Sequence, residues 1–396
     1  MKLLNTFVKR HPMLDKKHML LLGPTDDYFR KALDCNIEIT ILTEVSRVTV
    51  FQYEHARKVL LIRFDDFPAL LLAAGDEHIL RAFDFVISFT EYGMEPAAVI
   101  AATLQIPGPP LRCSLICRDK LRTRQALAST PANNVLFSKA ESPAKVEAFI
   151  LEHQLPVVLK PRFATGSQQV SILSHSDELS PELGEEWMVE SFAPGQEYSC
   201  ETFTVNGQHH LVAVTEKKLG GTSGVVEIGH CIHANMPNDP ELRDWVFTVL
   251  DHIGMTDGVG HIEVKMDGNI LYLIECHNRP GGDRIWQLVE LATGFDMIKA
   301  CIKLFANQAV SFLADYGRCA AITYFQFPAG DVESYQHPFD SPPEWVRWHE
   351  WILHKGMQIP QLTDSFHRHG GFIVDADTPQ ELEWRILQIL SLTKVL

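Results

Sequence analysis

Val259-Gly-His-Ile-Glu-Val-Lys-Met266 and Ile270-Leu-Tyr-Leu-Ile-Glu-Cys-His-Asn-Arg279 are two short segments that predict a pair of antiparallel strands joined by a turn. Successive residues of a strand point to opposite faces, so the pattern separates an apolar face from a polar one. The apolar face is predicted to carry Ile262, Val264, Met266, Ile270, Tyr272, Ile274 and Cys276, and the polar face His261, Glu263, Lys265, Glu275 and His277. Charge therefore gathers on one surface of this hairpin.

The turn of this hairpin decides whether its two glutamates meet. Glu263 and Glu275 share a face only when residues 267–269, Asp-Gly-Asn, form a three-residue connection. A two-residue turn would shift the pairing by one residue and move one carboxylate into the core. The sequence therefore predicts a three-residue turn with the two carboxylates side by side.

Two neighbouring carboxylates repel each other, and a hard cation removes that conflict. Mg²⁺ and Mn²⁺ take oxygen ligands and complete their shells with substrate phosphates, so Glu263 and Glu275 are candidate metal ligands. Arg279 would hold a phosphate or a developing negative charge through its forked guanidinium. The alternative is a solvated polar face with incidental charges.

Length and composition indicate a soluble enzyme of two or three domains. A chain of 396 residues exceeds the size at which a single core stops growing. Hydrophobic residues make up 46% and charged residues 21%, and no run approaches the roughly 18 apolar residues of a membrane span. The net charge of −15 argues against a nucleic-acid partner. Because the N-terminus lacks a secretory pattern, a cytoplasmic location is expected.

The eight cysteines are scattered along the chain. Cys113 and Cys117 are four residues apart and lack a matching second pair, so buried reduced thiols are expected rather than a zinc site.

The N-terminal part alternates strand-like runs with helix-like ones. Apolar runs at residues 18–22, 37–42, 59–64 and 85–89 predict a parallel α/β sheet. Glu91 follows the last of these runs, so it is expected at the carboxyl end of a strand, where open α/β sheets place their sites. The alternative is that Glu91 only complements the dipole of the helix that begins there.

A second unit begins after the boundary at residues 107–110, Pro-Gly-Pro-Pro. Its strand at residues 157–160 ends in Lys160 and precedes a loop of small residues whose backbone N–H groups could approach phosphate oxygens, namely Ala164, Thr165, Gly166 and Ser167. The loop lacks the residue order of a P-loop, so a plain hairpin turn stays open. Further on, Glu190 ends a strand and Glu197 begins another, with main chain near Phe192 where an adenine edge could be bound.

In this order, Lys120, the Lys160 loop, the Glu190 to Glu197 turn and the Glu263/Glu275 pair resemble an ATP-grasp enzyme over roughly residues 60–390. The segments 88–93, 226–230, 261–263 and 275–282 resemble the carboxylate–amine ligase branch that includes the L-amino acid ligases.

The resemblance implies an α/β and α+β multi-lobe protein with the ATP-grasp fold. Its expected parts are an N-terminal Rossmann-like parallel α/β domain over residues 1–112 and a linker helix with a small lid subdomain over residues 113–189. An antiparallel-sheet catalytic subdomain is expected over residues 190–305, and a C-terminal α+β subdomain completes the catalytic lobe over residues 306–396.

The resemblance also implies the nucleotide site. Its ATP-binding residues are Lys120, Lys160, Thr165, Gly166, Ser167, Glu190, Phe192 and Glu197. The two lysines would contact phosphates under a lid loop, Glu190 and the Phe192 main chain would bind adenine, and Glu197 would accept from the ribose. The catalytic residues would be Arg279, Lys160 and Glu275.

One residue departs from the family pattern Glu-x-Asn-x-Arg, because His277 stands where the metal-ligand asparagine is usual. The implied metal ligands are Glu263, Glu275, His277 and Asn278, with the choice between the last two open. The implied cation is Mg²⁺. Mn²⁺ is the alternative, because an imidazole nitrogen suits Mn²⁺ better than Mg²⁺.

The activity that the resemblance implies is ATP-dependent joining of a carboxylate to an amine through an acyl phosphate, with amino acids as substrates. Candidate substrate-binding residues are Glu91, Glu227, His230, His261, Asp283, Arg284 and Trp286. A carrier protein as acceptor and a non-catalytic ATP-binding module are the alternatives. A homodimer is a family expectation.

Overall fold

The computed structural model describes residues 16–164, 166, 168–174, 183–221, 224, 226–233, 239–312 and 317–396. Thr165 and Ser167, which the sequence placed in the phosphate loop, lie outside the described residues.

A four-stranded parallel sheet occupies the N-terminal part, as predicted. Its strands are β1 (His18–Leu22), β2 (Glu38–Thr43), β3 (Lys58–Leu61) and β4 (Phe85–Ser88), in the spatial order β3-β2-β1-β4. The helices that connect and follow them are α1 (Asp26–Leu33), α2 (Val50–His55), α3 (Phe67–Leu80) and α4 (Glu91–Leu104). Because β1 lies inside the sheet with helices beside it, all of its residues are buried.

A small antiparallel sheet follows helices α5 (Leu111–Arg118) and α6 (Lys120–Leu127). Its strands are β5 (Phe137–Lys139), β6 (Val157–Pro161), β7 (Ser171–Leu173) and β8 (Trp187–Ser191), in the order β5-β8-β6-β7, and helix α7 (Pro143–His153) packs on it. Asp119 separates α5 from α6 and caps α6 by accepting from the Leu121 N–H.

The largest sheet is antiparallel and has eight strands. The remaining strands of the chain are β9 (Gln196–Val205), β10 (Gln208–Gly220), β11 (Val226–Ile232), β12 (Gly258–Asp267), β13 (Ile270–His277), β14 (Cys319–Tyr324), β15 (Gly330–Asp331), β16 (Tyr335–Gln336), β17 (Val346–Trp351), β18 (Gln358–Ile359), β19 (Gly370–Ala376) and β20 (Lys394–Val395). The large sheet has the order β13-β12-β9-β10-β11-β14-β19-β17, while β15 pairs with β18 and β16 with β20.

Helices cover both faces of the large sheet. They are α8 (Pro240–Ile253), α9 (Ile285–Thr293), α10 (Met297–Phe305) and α11 (Pro379–Leu392). Helix α8 shares a core with α5 and the hairpin β12–β13, and α9 and α10 share another with β1, β2 and β4 of the parallel sheet. This second core holds the carboxyl end of β4 beside the hairpin.

The hairpin β12–β13 places Glu263 and Glu275 on one face, as predicted, and pairs them directly, but the turn differs from the predicted one. Asp267 pairs with Ile270, so the connection is two residues long and the expected three-residue turn is wrong. The register shifts between Glu263 and Val264, because Ile274 is an extra residue in β13 with no partner in the pairing. This bulge restores the alignment that the two-residue turn would have lost.

Because of the bulge, the predicted faces are wrong for the first part of β13, residues 270–274. Leu271 and Leu273 pack with the core of α8, whereas the sequence had placed Ile270, Tyr272 and Ile274 there. Ile270 is 48% exposed and Leu273 only 1%. Alternation holds on each side of a bulge but reverses across it, which is why the period of two failed at this point.

All eight cysteines are buried, and none of them forms a disulfide, in agreement with the predicted thiols. No helix within the described ranges is both long enough and apolar enough to cross a membrane.

Candidate active site

A cleft that is open to solvent lies between the small sheet and the hairpin β12–β13, with a cavity volume of about 140 Å³. It collects residues that the sequence had predicted separately, namely Lys120, Lys160, Gly166, Glu190, Phe192, Glu197, Glu227, Glu263 and Glu275. The nucleotide-site and metal-site candidates therefore face one space.

The carboxylate pair at the head of this cleft is held by cations. Lys217 Nζ lies 2.7 Å from Glu263 Oε1, and Lys120 Nζ lies 3.0 Å from Glu275 Oε2. Burial alone would raise the pKa of both carboxyl groups, but Lys217 holds the pKa of Glu263 below its ordinary value and Lys120 does the same for Glu275. Both glutamates are therefore anionic near neutral pH.

Lys217 on β10 is a residue that the sequence analysis missed. Its ammonium group also lies 3.0 Å from Glu197 and 3.5 Å from Glu227, and its side chain is 2% exposed. Burial lowers the pKa of Lys217, but the surrounding carboxylates outweigh it and raise the pKa well above the ordinary value. The sequence offered one signal for the burial of Lys217. It lies two residues after the buried Thr215, so the two side chains share one face of β10.

A histidine, His261, contacts Glu263 with one ring nitrogen and a buried carboxylate with the other. His261 Nε2 lies 3.1 Å from Glu263 Oε1, while its Nδ1 lies 2.8 Å from Glu201 Oε1. Glu201 is fully buried and also accepts from the Ser199 hydroxyl. Burial lowers the pKa of His261, but Glu201 and Glu263 raise it to about 9, so the ring is an imidazolium at neutral pH. Glu201 is a second residue that the sequence analysis missed.

A second histidine, His277, contacts Glu275 in the same way. His277 Nε2 lies 3.0 Å from Glu275 Oε1, and its Nδ1 lies 3.2 Å from Glu91 Oε2. His277 pairs with His261 across the two strands, and the ring centroids are 6.0 Å apart. Each candidate metal carboxylate thus contacts one ring nitrogen of a histidine, and the other ring nitrogen of that histidine contacts a further carboxylate.

Glu91 joins the parallel sheet to this site. It is the first residue of α4 and lies just beyond the carboxyl end of β4. It therefore lies both at the end of a strand and at the start of a helix, the two positions that the sequence analysis considered. Arg279 Nε donates to Glu91 Oε2 at 2.6 Å. Burial raises the pKa of Glu91, but Arg279 and His277 outweigh it and hold the pKa well below the ordinary value. Arg279 is thereby held beside the hairpin.

The far side of the cleft carries a buried ion cluster around Glu190. Lys160 and Arg124 both donate to the Glu190 carboxylate, and Arg124 also donates to the Ile274 carbonyl at 3.0 Å. Burial lowers the pKa of Lys160, against the opposing effect of Glu190. The sequence analysis missed Arg124, whose partners come from two distant strands.

The loop after β6 closes this side. Lys120 Nζ donates to the Ala164 carbonyl at 2.6 Å, and Gly166 lines the cleft with a φ of +63°, which favours glycine. Phe192 lies beside Ala193 at the cleft wall, with Lys265 Nζ 5.2 Å from its ring.

Three of the substrate candidates form a polar network. His230 Nε2 lies 2.9 Å from Asp283, and Arg368 donates two 2.7 Å bonds to the same carboxylate. Arg368 also lies 3.4 Å from Glu227. The sequence analysis missed Arg368, which arrives from the loop before β19. Glu91 and His261 contact the groups described above. The last two candidates contact different groups: Arg284 pairs with Asp27 at 2.5 Å, and the centroid of the Trp286 ring lies 5.6 Å from that of Tyr28.

The two candidates for a further metal ligand point differently. Asn278 Nδ2 donates to Ser114 Oγ at 2.7 Å, which directs it toward α5, while His277 shares the face of Glu275. Across the part of the chain that the structure describes, no group of three His, Cys, Asp or Glu side chains is arranged to hold a metal. The Glu263/Glu275 pair still fits Mg²⁺, which uses one or two carboxylates and takes its other ligands from phosphates and water.

Comparisons with known proteins agree with this geometry. An ATP-grasp domain model matches residues 180–287. The chain is 26% identical over 272 residues to the uncharacterized protein y4rH of Sinorhizobium fredii, covering 64% of this chain and 56% of that one. It is 24% identical over 272 residues to carnosine synthase 1 of Mus musculus, covering 60% and 32%. The chain thus spans about half the length of the Sinorhizobium protein and about a third of the length of the mouse carnosine synthase.

The fold is that of an ATP-grasp protein, and residues 180–287 match the ATP-grasp domain. A solved L-amino acid ligase from Bacillus licheniformis superposes with a TM-score of 0.83, covering 96% of this chain and 98% of that one at 18% identity. Over nearly its whole length the chain is therefore similar in fold to an L-amino acid ligase.

Proposed function

We propose that this protein is an ATP-dependent carboxylate–amine ligase, acting on amino acids and releasing ADP and phosphate. The observation that carries the proposal is the Glu263/Glu275 pair at the head of a cleft that Lys120, Lys160 and Gly166 also line. Carboxylates flanked by lysines suit a metal-bound triphosphate, because the metal and the lysines share its charge.

In this proposal ATP occupies the cleft. Its phosphates lie near Lys120, Lys160 and the backbone of Gly166, adenine lies beside Glu190 and Phe192, and the ribose is held by Glu197. The buried cluster of Lys160, Arg124 and Glu190 keeps the Lys160 ammonium in a fixed position, so less side-chain entropy is lost when the nucleotide binds.

Glu263 and Glu275 would hold Mg²⁺, with His277 rather than Asn278 as the further ligand, because His277 lies on the face of Glu275 whereas Asn278 is directed toward Ser114 of α5. A nitrogen ligand would also make Mn²⁺ effective. When bound, the cation neutralises phosphate charge and makes the γ-phosphorus a better electrophile.

The reaction consists of two substitutions. A carboxylate oxygen of the donor forms a bond to the γ-phosphorus while the bond to ADP breaks, giving an acyl phosphate. The amine nitrogen then bonds to the acyl carbon, phosphate leaves with the bonding electrons, and the amine loses a proton. Arg279 would neutralise the acyl phosphate, and the loop at Gly166 would keep water away from it.

The proposal is tested by ADP and phosphate release from ATP and Mg²⁺ with the twenty amino acids, singly and in pairs. We expect release that requires a pair, with a product whose mass is that of the pair minus water. Glu275→Gln should lower the rate by about 100-fold or more. The matched control is Glu381→Gln, a carboxylate of α11 that pairs with Arg385 outside the cleft. ATP binding without release from any pair would contradict the proposal.

A further inference from the structure

The turn that follows Arg279 ends in two residues with an unusual backbone conformation. Asp283 has a φ of +52° and Arg284 a φ of +60°, in the left-handed region that residues with a side chain seldom adopt. Aspartate visits this region more readily than most residues, but such residues occur singly rather than in succession. Strain of this kind persists only where the surrounding structure fixes it. The turn therefore depends on contacts with other parts of the chain.

Arg368 holds Asp283 through both oxygens of its carboxylate. Its Nη1 and Nη2 each donate at 2.7 Å, one to Oδ1 and the other to Oδ2, and such a forked pair fixes the orientation of the carboxylate as well as its distance. His230 Nε2 lies 2.9 Å from the same Oδ2. The next residue, Arg284, donates to Asp27 of α1 at 2.5 Å. The turn is thus held from both the C-terminal and the N-terminal parts of the chain.

Arg368 is itself fixed on several sides. Its guanidinium carbon lies 4.0 Å from the centroid of the Tyr324 ring, and its Nη2 donates to Ser365 Oγ at 3.0 Å. The same Nη2 lies 3.4 Å from Glu227, which lines the nucleotide cleft. Only 8% of the Arg368 side chain is exposed. Because a planar guanidinium that is stacked on a ring and bonded in its plane has little freedom to rotate, Arg368 is a rigid anchor for the turn.

The turn lies against the candidate reacting groups. It begins at Arg279, and a Cβ on Gly281 would lie 2.8 Å from His261 Nδ1, so the backbone packs directly on that ring. A second glycine follows Gly281, and two glycines give the backbone little stiffness of its own. The course of the turn therefore depends on the contacts at its two ends, one to Glu91 and the other to Arg368. Without the second contact, the backbone next to Arg279 would be free to shift.

We propose that Arg368 is a positioning residue of the ligase. Through Asp283 it holds the turn at residues 280–284 in its strained shape, and it thereby keeps Arg279 where the acyl phosphate forms. The inference rests on the proposed ligase function and adds a residue from the loop before β19 that lies outside the nucleotide cleft. Since Arg279 acts on charge that develops during the reaction, the loss of Arg368 lowers turnover rather than nucleotide affinity.

The test measures kcat and the KM for ATP in Arg368→Gln, once a reactive pair of amino acids is known. We expect kcat to fall by about 10- to 100-fold, while the KM for ATP stays within about 3-fold, because a small displacement of a catalytic group is costly for turnover. Arg368→Lys keeps the charge but loses the fork, so its kcat should fall by less, about 3- to 10-fold. Adding Asp283→Asn to Arg368→Gln should recover about 5-fold, since asparagine tolerates the left-handed region and leaves no buried charge unpaired.

A second measurement asks whether Arg368 acts through Arg279. In an Arg279→Lys background, Arg368→Gln should lower kcat by less than about 3-fold, because the two changes then affect the same group and are not additive. A merely structural role of Arg368 would give the same fall in both backgrounds.

Arg385→Gln is the matched control. Arg385 of α11 is 15% exposed, donates to Glu381 at 2.6 Å and lies 5.5 Å from the centroid of the Trp345 ring, so it makes the same kinds of contact outside the cleft. It should leave kcat within about 2-fold of the wild type, whatever stability it loses.

A kcat of Arg368→Gln within about 2-fold of the wild type would overturn the inference. An equal fall in the Arg279→Lys background would do so as well, and so would a rise in the KM for ATP with kcat unchanged. Those outcomes leave the ligase function standing, whereas the absence of a condensed product from every pair in the wild type removes both proposals.

Discussion

The buried pair of Glu201 and His261 offers the sharpest prediction about stability. Glu201→Gln removes the charge that contributes most to keeping His261 protonated, while the amide keeps the size of the side chain. His261 should then lose much of its proton affinity in the folded state. We expect the variant to be less stable than the wild type at neutral pH, by an amount that depends on pH.

The magnitude follows from the pKa of His261, which rises from 6.5 to about 9 on folding. That rise corresponds to about 3 kcal/mol of folding free energy, since a tenfold change in proton affinity is worth about 1.4 kcal/mol. Because the folded pKa is the higher one, this stabilisation is complete below pH 6.5 and is lost as the pH rises through 9. Glu263 supplies part of it and remains, so Glu201→Gln should cost about 2 kcal/mol at pH 7.

The assay is denaturant unfolding of both proteins at pH 7 and at pH 10, together with NMR titration of the histidine rings. The difference in unfolding free energy should shrink between the two pH values. The control is Glu216→Gln, which removes the partner of His233 in a pair whose side chains are both 33% exposed. Such a pair contributes less than about 1 kcal/mol. Equal losses in the two variants, or a Glu201→Gln loss that is the same at both pH values, would refute the reasoning.

Three further predictions concern the same site. Lys217→Met removes the ammonium group that three carboxylates share and should lower the free energy of unfolding by about 3–5 kcal/mol; Mg²⁺ should reduce that loss in thermal unfolding, and a loss unaffected by Mg²⁺ would contradict a shared cation site. Gly281→Ala places a Cβ 2.8 Å from His261 Nδ1 and should cost about 1–3 kcal/mol in urea unfolding, whereas an unchanged midpoint would show that the ring moves freely. Deletion of Ile274 removes the bulge but keeps Glu263 paired with Glu275, because Ile274 has no partner in the pairing; Mn²⁺ binding measured by calorimetry should stay within about 2-fold of the wild type, and a complete loss of binding would contradict this register.

Local patterns predicted a large part of this fold. The four parallel strands were recognisable because short apolar runs alternated with helical ones, and the shared face of Glu263 and Glu275 was predicted from the alternation on two adjacent strands. Both signals lie within a few residues of chain. The bulge at Ile274 carries no such signal, because a two-residue turn with a bulge and a three-residue turn without one both put the two glutamates on the same face, although only the first pairs them directly.

The missed residues share a physical reason. Lys217, Arg124, Glu201 and Arg368 are each a single charged residue in an ordinary segment, and their partners come from other strands or helices. Nothing within one segment shows that a charge will be buried, because burial depends on what packs above it.

By itself, the sequence determined the class of fold and the strand that carries each candidate carboxylate, because these depend on periodicity and spacing along the chain. Only the tertiary structure decided which cations neutralise those carboxylates, and that each of them contacts a histidine whose other ring nitrogen contacts a further carboxylate. Those features depend on distances between segments that are remote in sequence, and electrostatic interactions and cavities are set by such distances.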